Sequence, residues 1–239
     1  MSNFELLILY TIINFIMMFL SYRFFGKKGI GIFIVISVIA ANIQVNKGIE
    51  YDILGFHFAA TMVNVMFSGI FMANDLLNEK YGKVEAQKMV ITSAFFGIGF
   101  MLLMFFATLF QSINQQEYND VNQALNLFFS LNGGAIKAIL IGNIVYLISQ
   151  SFDVLIYSKL RNFSSEFKWV WLRNSGSTAI SQIVDSFLIT YGFVFAGIIP
   201  SEYAFEMVFS TLAIKYIITV INAPLFYLLV LVKPKKVLD

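Results

Sequence analysis

Ser149-Gln150-Ser151-Phe152-Asp153 and Ser181-Gln182-Ile183-Val184-Asp185 repeat one pattern, Ser-Gln-x-x-Asp, inside two apolar stretches long enough to cross a bilayer. An ionisable side chain at mid-membrane costs about 2.5–3.5 kcal/mol on insertion scales, so it is rare without a partner or a purpose. Gln and Asp three residues apart share a helical face, so each stretch turns an amide and a carboxylate the same way. The first extends to Asn143, Tyr146, Gln150, Asp153 and Tyr157, the second to Asn174, Thr178, Gln182 and Asp185, both at alternating three- and four-residue spacing. Two such faces on the arms of one helical hairpin predict a polar cavity for a polar solute.

Four charges have no place in a loop: Asp75, Asp153, Asp185 and Lys215. With a rise of about 1.5 Å per residue from a turn near Glu166, Gln150 should lie near Gln182, Asp185 level with Tyr146, and Asp153 level with Thr178. The plainer alternative is that these groups only join helices. Asp185 would then pair with Lys215, Asp153 with Arg161 or Arg173, and Asp75 with Lys80. The lone histidine, His57, reads as an interfacial residue.

The elements that must hold these groups are membrane helices. Of 239 residues, 59% are hydrophobic and 13% charged, against about 25% charged in a soluble domain. There is no cysteine, which excludes thiol chemistry and Cys-ligated metals, and one histidine makes a His-based metal site or triad a poor reading. No metal or other cofactor is expected. Seven runs suit helices of roughly 17–25 residues: Phe4–Tyr22, Gly29–Val45, Phe58–Asn78, Ala86–Phe110, Gly134–Tyr157, Leu172–Gly197 and Phe205–Val232. Pro224 should kink the last. The first lacks a basic leader and a cleavage site and is read as a retained helix. The long connection 111–132 carries Val121, Leu125, Phe128 and Phe129 at helical spacing, which allows a surface helix. No linker interrupts the chain, so 1–239 reads as a single transmembrane domain.

Thirteen of the sixteen basic residues fall in alternate loops and the tail. Arg23, Lys27 and Lys28 follow the first run, Lys80, Lys83 and Lys88 the third. Lys159, Arg161, Lys168 and Arg173 lie between the fifth and sixth, and Lys233, Lys235 and Lys236 end the chain. The positive-inside rule then puts the N-terminus outside and the C-terminus in the cytoplasm.

With these residues in view, the chain resembles the queuosine precursor transporter family, also called the VUT family. The likeness is carried by Asn42-Ile43-x-x-Asn46-Lys47, Asn74-Asp75-Leu76-x-x-Glu79-x-Tyr81-Gly82 and Gln150-x-x-Asp153-x-x-Ile156-Tyr157-Ser158-Lys159-Leu160. It continues through Trp171-Leu172-Arg173-Asn174-x-Gly176-Ser177-Thr178-x-x-x-Gln182-x-x-Asp185-Ser186, Lys215-Tyr216 and Pro224-Leu225. The resemblance implies a bundle related to the vitamin-binding subunits of energy-coupling-factor transporters. It also implies uptake of 7-cyano- or 7-aminomethyl-7-deazaguanine across the bacterial inner membrane. A deazaguanine offers paired N–H donors that a carboxylate can accept, a carbonyl suited to an amide donor, and a flat ring that stacks.

The expected architecture is an all-α bundle of about seven transmembrane helices, and the expected function is import of the base rather than catalysis. Asp185 and Gln182 are expected to recognise the substrate, with Gln150, Asp153, Asn143, Tyr146 and Thr178 completing the pocket. Asn42, Asn46 and Asp75 are pocket or gate candidates, and Lys215 is the counter-ion of Asp185. The expected partners are a small nucleobase and membrane lipid, not nucleic acid, with a homo-oligomer left open. The alternative is a substrate-binding subunit of an energy-coupling-factor transporter for a vitamin or nucleobase, which would act with an ATPase module. A membrane scaffold without transport is a third reading.

Overall fold

A computed structural model describes residues 1–53, 55–111, 113 and 116–235. Helix α1, Asn3–Gln44, starts in a capping box, with Glu5 N–H donating to Ser2 Oγ at 3.2 Å and Ser2 N–H to the Glu5 carboxylate at 2.8 Å. It does not run straight. Gly26 adopts φ 56°, ψ −137°, a conformation that side-chain-bearing residues rarely take, and the helix doubles back there. The two arms lie side by side, with Gln44 Nε2 donating to Tyr10 Oη at 2.8 Å. The basic turn between the first two apolar runs is thus compressed into a single glycine.

The next segment departs from expectation. The third run was to begin at Phe58, but strands β1, Gly48–Ile53, and β2, Phe56–Thr61, form an antiparallel hairpin with Ile53 opposite Phe56 and Gly48 opposite Thr61. Gly55 supplies φ 85° in its turn, the positive-φ position that two-residue hairpin turns demand. Aromatic and β-branched residues of this run satisfy a pleated surface as readily as a helix. The largely helical bundle thus carries one two-stranded hairpin among the described residues. His57 is exposed and pairs with Asp52 on the facing strand.

Five more long helices complete the bundle: α2 Val63–Tyr81, α3 Lys83–Thr108, α5 Ala135–Phe163, α6 Val170–Phe195 and α7 Ala204–Leu231. Between α3 and α5 lies α4, Gln116–Phe129, the amphipathic helix that the spacing of Val121, Leu125 and Phe128 allowed. The α7 helix continues through Pro224. Among the described residues, five helical segments are long and apolar enough to cross a membrane: Asn3–Gln44, Lys83–Thr108, Ala135–Phe163, Phe167–Phe195 and Ser201–Leu231. With lipid-ready phenylalanines and leucines exposed along α1 and α3, they make this a multi-pass, largely helical membrane protein.

Helix α2 falls outside that set for a physical reason. It carries Asn64, Asn74, Asp75, Asn78 and Glu79, yet from Val63 to Asn78 every residue but the half-buried Phe67 is buried. It faces protein all round, so its polar groups meet partners instead of lipid. The core around it joins Phe15, Met18 and Ile34 of α1 to Ile70 and Leu76 of α2, Val90 of α3, Val154 of α5 and Phe226 of α7. At the end opposite the hairpin, the backbone N–H of Lys235 donates to Arg23 C=O at 2.8 Å and Pro234 packs on Gly26. That basic end ties the tail to the turn of α1.

Candidate functional site

A ladder of buried polar groups runs between α2, α6 and α7. Nearest the hairpin end, Lys215 Nζ donates to Asp185 Oδ2 at 2.5 Å and to Ser186 Oγ at 3.0 Å. One turn deeper, Gln182 Nε2 donates to Thr219 Oγ1 at 3.1 Å, and the Thr219 hydroxyl lies 2.9 Å from Lys215 C=O. Asn222 Nδ2 reaches Ser68 Oγ of α2 at 2.8 Å, which leaves Asn222 Oδ1 buried and unpartnered. Asp75 Oδ2 accepts from Asn174 Nδ2 at 2.6 Å and from Thr178 Oγ1 at 3.5 Å. The ladder ends in a clamp at the basic end. Glu79 accepts from Arg173 Nη2 and Tyr157 Oη, each at 2.7 Å, and Arg161 Nε approaches to 3.8 Å.

Within the ladder lies a void of about 10 Å³ lined by Ser68, Phe71, Met72, Asn174, Thr178, Thr219 and Asn222. That is room for about one water. Polar groups surround it, Phe71 offers an aromatic ring, and an unpartnered acceptor on Asn222 borders it. A larger cavity of about 880 Å³ sits under the β-hairpin between Leu6, Tyr10, Tyr51, Met62 and Met207. Its lining is mainly apolar.

The polar stripe of α5 does not face that of α6 across one cavity. Asn143 donates to Asn42 Oδ1 of α1 at 3.0 Å, and Tyr146 Oη meets Ser93 Oγ of α3 at 2.7 Å. Gln150 Oε1 accepts from Asn74 Nδ2 of α2 at 2.6 Å, so Gln150 and Gln182 bond to different helices instead of each other. The levels reckoned from the hairpin turn assumed that both stripes look inward at one another. Helix α2, with its own amides, supplies partners for α5 instead. Asn46 is exposed, and its amide lies 3.4 Å from Asn42 C=O and 3.5 Å from Ile43 C=O at the end of α1.

Of the ion pairs in the plainer alternative, Lys215–Asp185 forms, and those of Asp75 and Asp153 do not. Among the described residues, no cation pairs with Asp75 or Asp153. Arg161 and Arg173 turn to Glu79, and Lys80 Nζ donates to Val230 C=O at 2.5 Å. Arg173 is buried, and its Nη1 donates to Ser164 C=O and Glu166 C=O, at 2.5 and 3.0 Å. It pins the α5–α6 turn. Ser68, Phe71, Asn74, Thr219 and Asn222 are additional residues of this region. Their signal was present as Lys215, Thr219 and Asn222 at one face's spacing, and as unusual polar density in α2.

The family described as "Putative vitamin uptake transporter" matches residues 61–229, which span α2 to α7. The chain belongs to this vitamin uptake transporter family. It is 36% identical over 231 residues to a Bacillus subtilis (strain 168) protein named "Probable queuosine precursor transporter", covering 95% of this chain and 94% of that one. No solved structure matches. Membership makes the chain a membrane transporter, and the matched residues hold the whole α2–α6–α7 ladder.

Proposed function

We propose that the protein imports a 7-deazaguanine precursor of queuosine, 7-cyano- or 7-aminomethyl-7-deazaguanine, through a bundle of seven membrane-crossing segments. The N-terminus faces outward and the C-terminus faces the cytoplasm. The two arms of α1 count as two segments and the protein-sheathed α2 as the third; the basic end is cytoplasmic by charge. The likeness to the Bacillus subtilis protein motivates the substrate.

The observation that carries the reading is the void between α2, α6 and α7, where a ring and several hydrogen-bonding groups converge away from lipid. Ligand sites combine apolar walls with a few placed polar groups in this way. Phe71 and Met72 form a wall for a flat base. Asn222 Oδ1 accepts a ring N–H, while Gln182 and Thr219, which bond chiefly to each other, exchange that bond for the base's polar edge. Thr178 and Asn174 close the far side. Asp185 is assigned to Lys215 rather than to the base, because Oδ2 already holds the ammonium. At about 10 Å³ the void cannot admit a bicyclic base, so binding parts the three helices.

A thermal-shift panel of the purified protein against deazapurine and purine bases tests this, since a ligand of the folded state raises its melting temperature. 7-Cyano-7-deazaguanine should give a shift that adenine does not compete away, because adenine's N1 presents an acceptor where a guanine-like edge presents a donor. No shift with either deazaguanine, beside a shift with another solute class, overturns the assignment.

A further inference from the structure

Asp153 of α5 differs from the charges of the ladder. It is fully buried, and neither carboxylate oxygen meets a donor at bonding geometry. Asp185 has Lys215, and Glu79 has Arg173. Asp153 instead lies beside a second, equally buried carboxyl group, that of Asp75 on α2, where the Asn74–Gln150 and Asn78–Val154 C=O bonds hold α2 against α5. Asp75 Oδ1 is unpartnered as well. From α6, the fully buried hydroxyl of Ser181 lies beside Asp153 and has no partner of its own.

The surrounding charges do not neutralise this pair. On α2 the next is Glu79, itself held by Arg173 of α6 and by Tyr157 of α5. Tyr146 of α5 is bonded to Ser93 of α3. Lys215 of α7 is taken by Asp185 and Ser186. Two carboxylates in contact inside a low-dielectric bundle cannot both ionise. One shared proton converts their repulsion into an O–H···O bond.

The pair is also wired to the void. Asp75 Oδ2 takes its short bond from Asn174, and Asn174 and Thr178 both line the space between α2, α6 and α7. We infer that the Asp75–Asp153 pair is a proton site coupled to the transported solute through Asn174, so that solute and proton enter together. The coupling rests on the substrate reading above; the proton site does not. In the free protein one proton is shared by the two carboxyl groups. A base that draws the Asn174 amide to its own carbonyl leaves the remaining charge on Asp75 without its donor, and a second proton from water neutralises it. When the base departs, Asn174 returns to Asp75 Oδ2 and that proton is released.

Isothermal titration of the full-length protein with 7-cyano-7-deazaguanine, in buffers of different ionisation enthalpy, reads the coupling. Uptake on the order of one proton per base is expected, with affinity rising as pH falls. In the Asp75→Asn/Asp153→Asn variant, which keeps both shapes and leaves no carboxyl there to titrate, base binding should bring no proton uptake and should not vary with pH. Infrared spectroscopy of the ligand-free protein provides a readout without substrate. A protonated carboxyl band should be present at neutral pH and absent from the Asp75→Asn/Asp153→Asn variant. If wild-type protein lacks the band, the proton site is overturned whatever the ligand does. Binding without proton uptake overturns the coupling, and affinity that follows Na⁺ but not pH replaces the proton with sodium. A normal band with no deazaguanine binding sinks the substrate reading and leaves the proton site standing.

Discussion

Replacing Asp185 by Asn tests whether the pair nearest the hairpin end is a structural tie. Both side chains are nearly inaccessible, at 3% for Lys215 and 4% for Asp185, and among the described residues Lys215 Nζ bonds only to Asp185 and Ser186. Asp185→Asn preserves the volume but leaves an ammonium facing a neutral amide. Breaking a buried pair from one side costs about 3–5 kcal/mol. At about 2–4 °C per kcal/mol for a chain of this size, the melting temperature should fall by about 6–20 °C. Adding Lys215→Met removes the stranded charge and should recover most of that loss, since apolar replacement of a whole buried pair is often neutral or stabilising. Differential scanning fluorimetry in detergent gives both melting points, and equilibrium binding of the deazaguanine to the double variant gives the second readout. Binding like that of the wild type is expected there. An Asp185→Asn protein that melts with the wild type would refute the energetic argument. A double variant that melts normally but no longer binds would return Asp185 to substrate recognition.

Gln182→Ala should weaken base binding about tenfold or more, because a polar edge of the base is left unmatched in a buried site; the same titration checks it. Phe71→Leu should cost about 0.5–1.5 kcal/mol of stacking, roughly a 2- to 12-fold rise in Kd, and the lost ring volume at this buried position should also lower the melting temperature by a few degrees. Glu79→Gln strands the buried guanidinium of Arg173 and should lower stability by about 3–5 kcal/mol, with partial recovery on adding Arg173→Gln. A reporter active only in the cytoplasm should work when fused at the C-terminus and fail at the N-terminus; the reverse would invert the proposed topology.

The helices were legible because hydropathy reports solvent directly, and lipid is the solvent here. The Gly26 turn and the 56–61 strand were less so. Each depends on a local backbone choice, positive φ in one case and ladder pairing in the other, that leaves no mark on an apolar average. For the candidate site, the stripes on α5 and α6 were visible as periodicity. Periodicity says which residues share a face, not which helix that face meets. Asn143, Tyr146 and Gln150 therefore read as one wall, although they bond to α1, α3 and α2 in turn. The residues missed on α2 were obscured by the same logic, because a helix buried on every side has no apolar face to set its polar one against.

The contact between Gly69 of α2 and Asn14 of α1 limits how the transporter can move. A Cβ added at Gly69 would lie 2.0 Å from Asn14 Oδ1, so the Asn14 side chain fills the space that the glycine leaves open. On another flank α2 is fastened to α5 by the Asn74–Gln150 and Asn78–Ser158 bonds. Toward α6 and α7, polar latches hold it: Ser68 to Asn222, Asp75 to Asn174 and Thr178, and Glu79 to Arg173. Polar latches can trade partners with a solute or with water. The face of α2 toward α6 and α7 is therefore held by bonds that a polar solute can exchange, while toward α1 it is held by close packing.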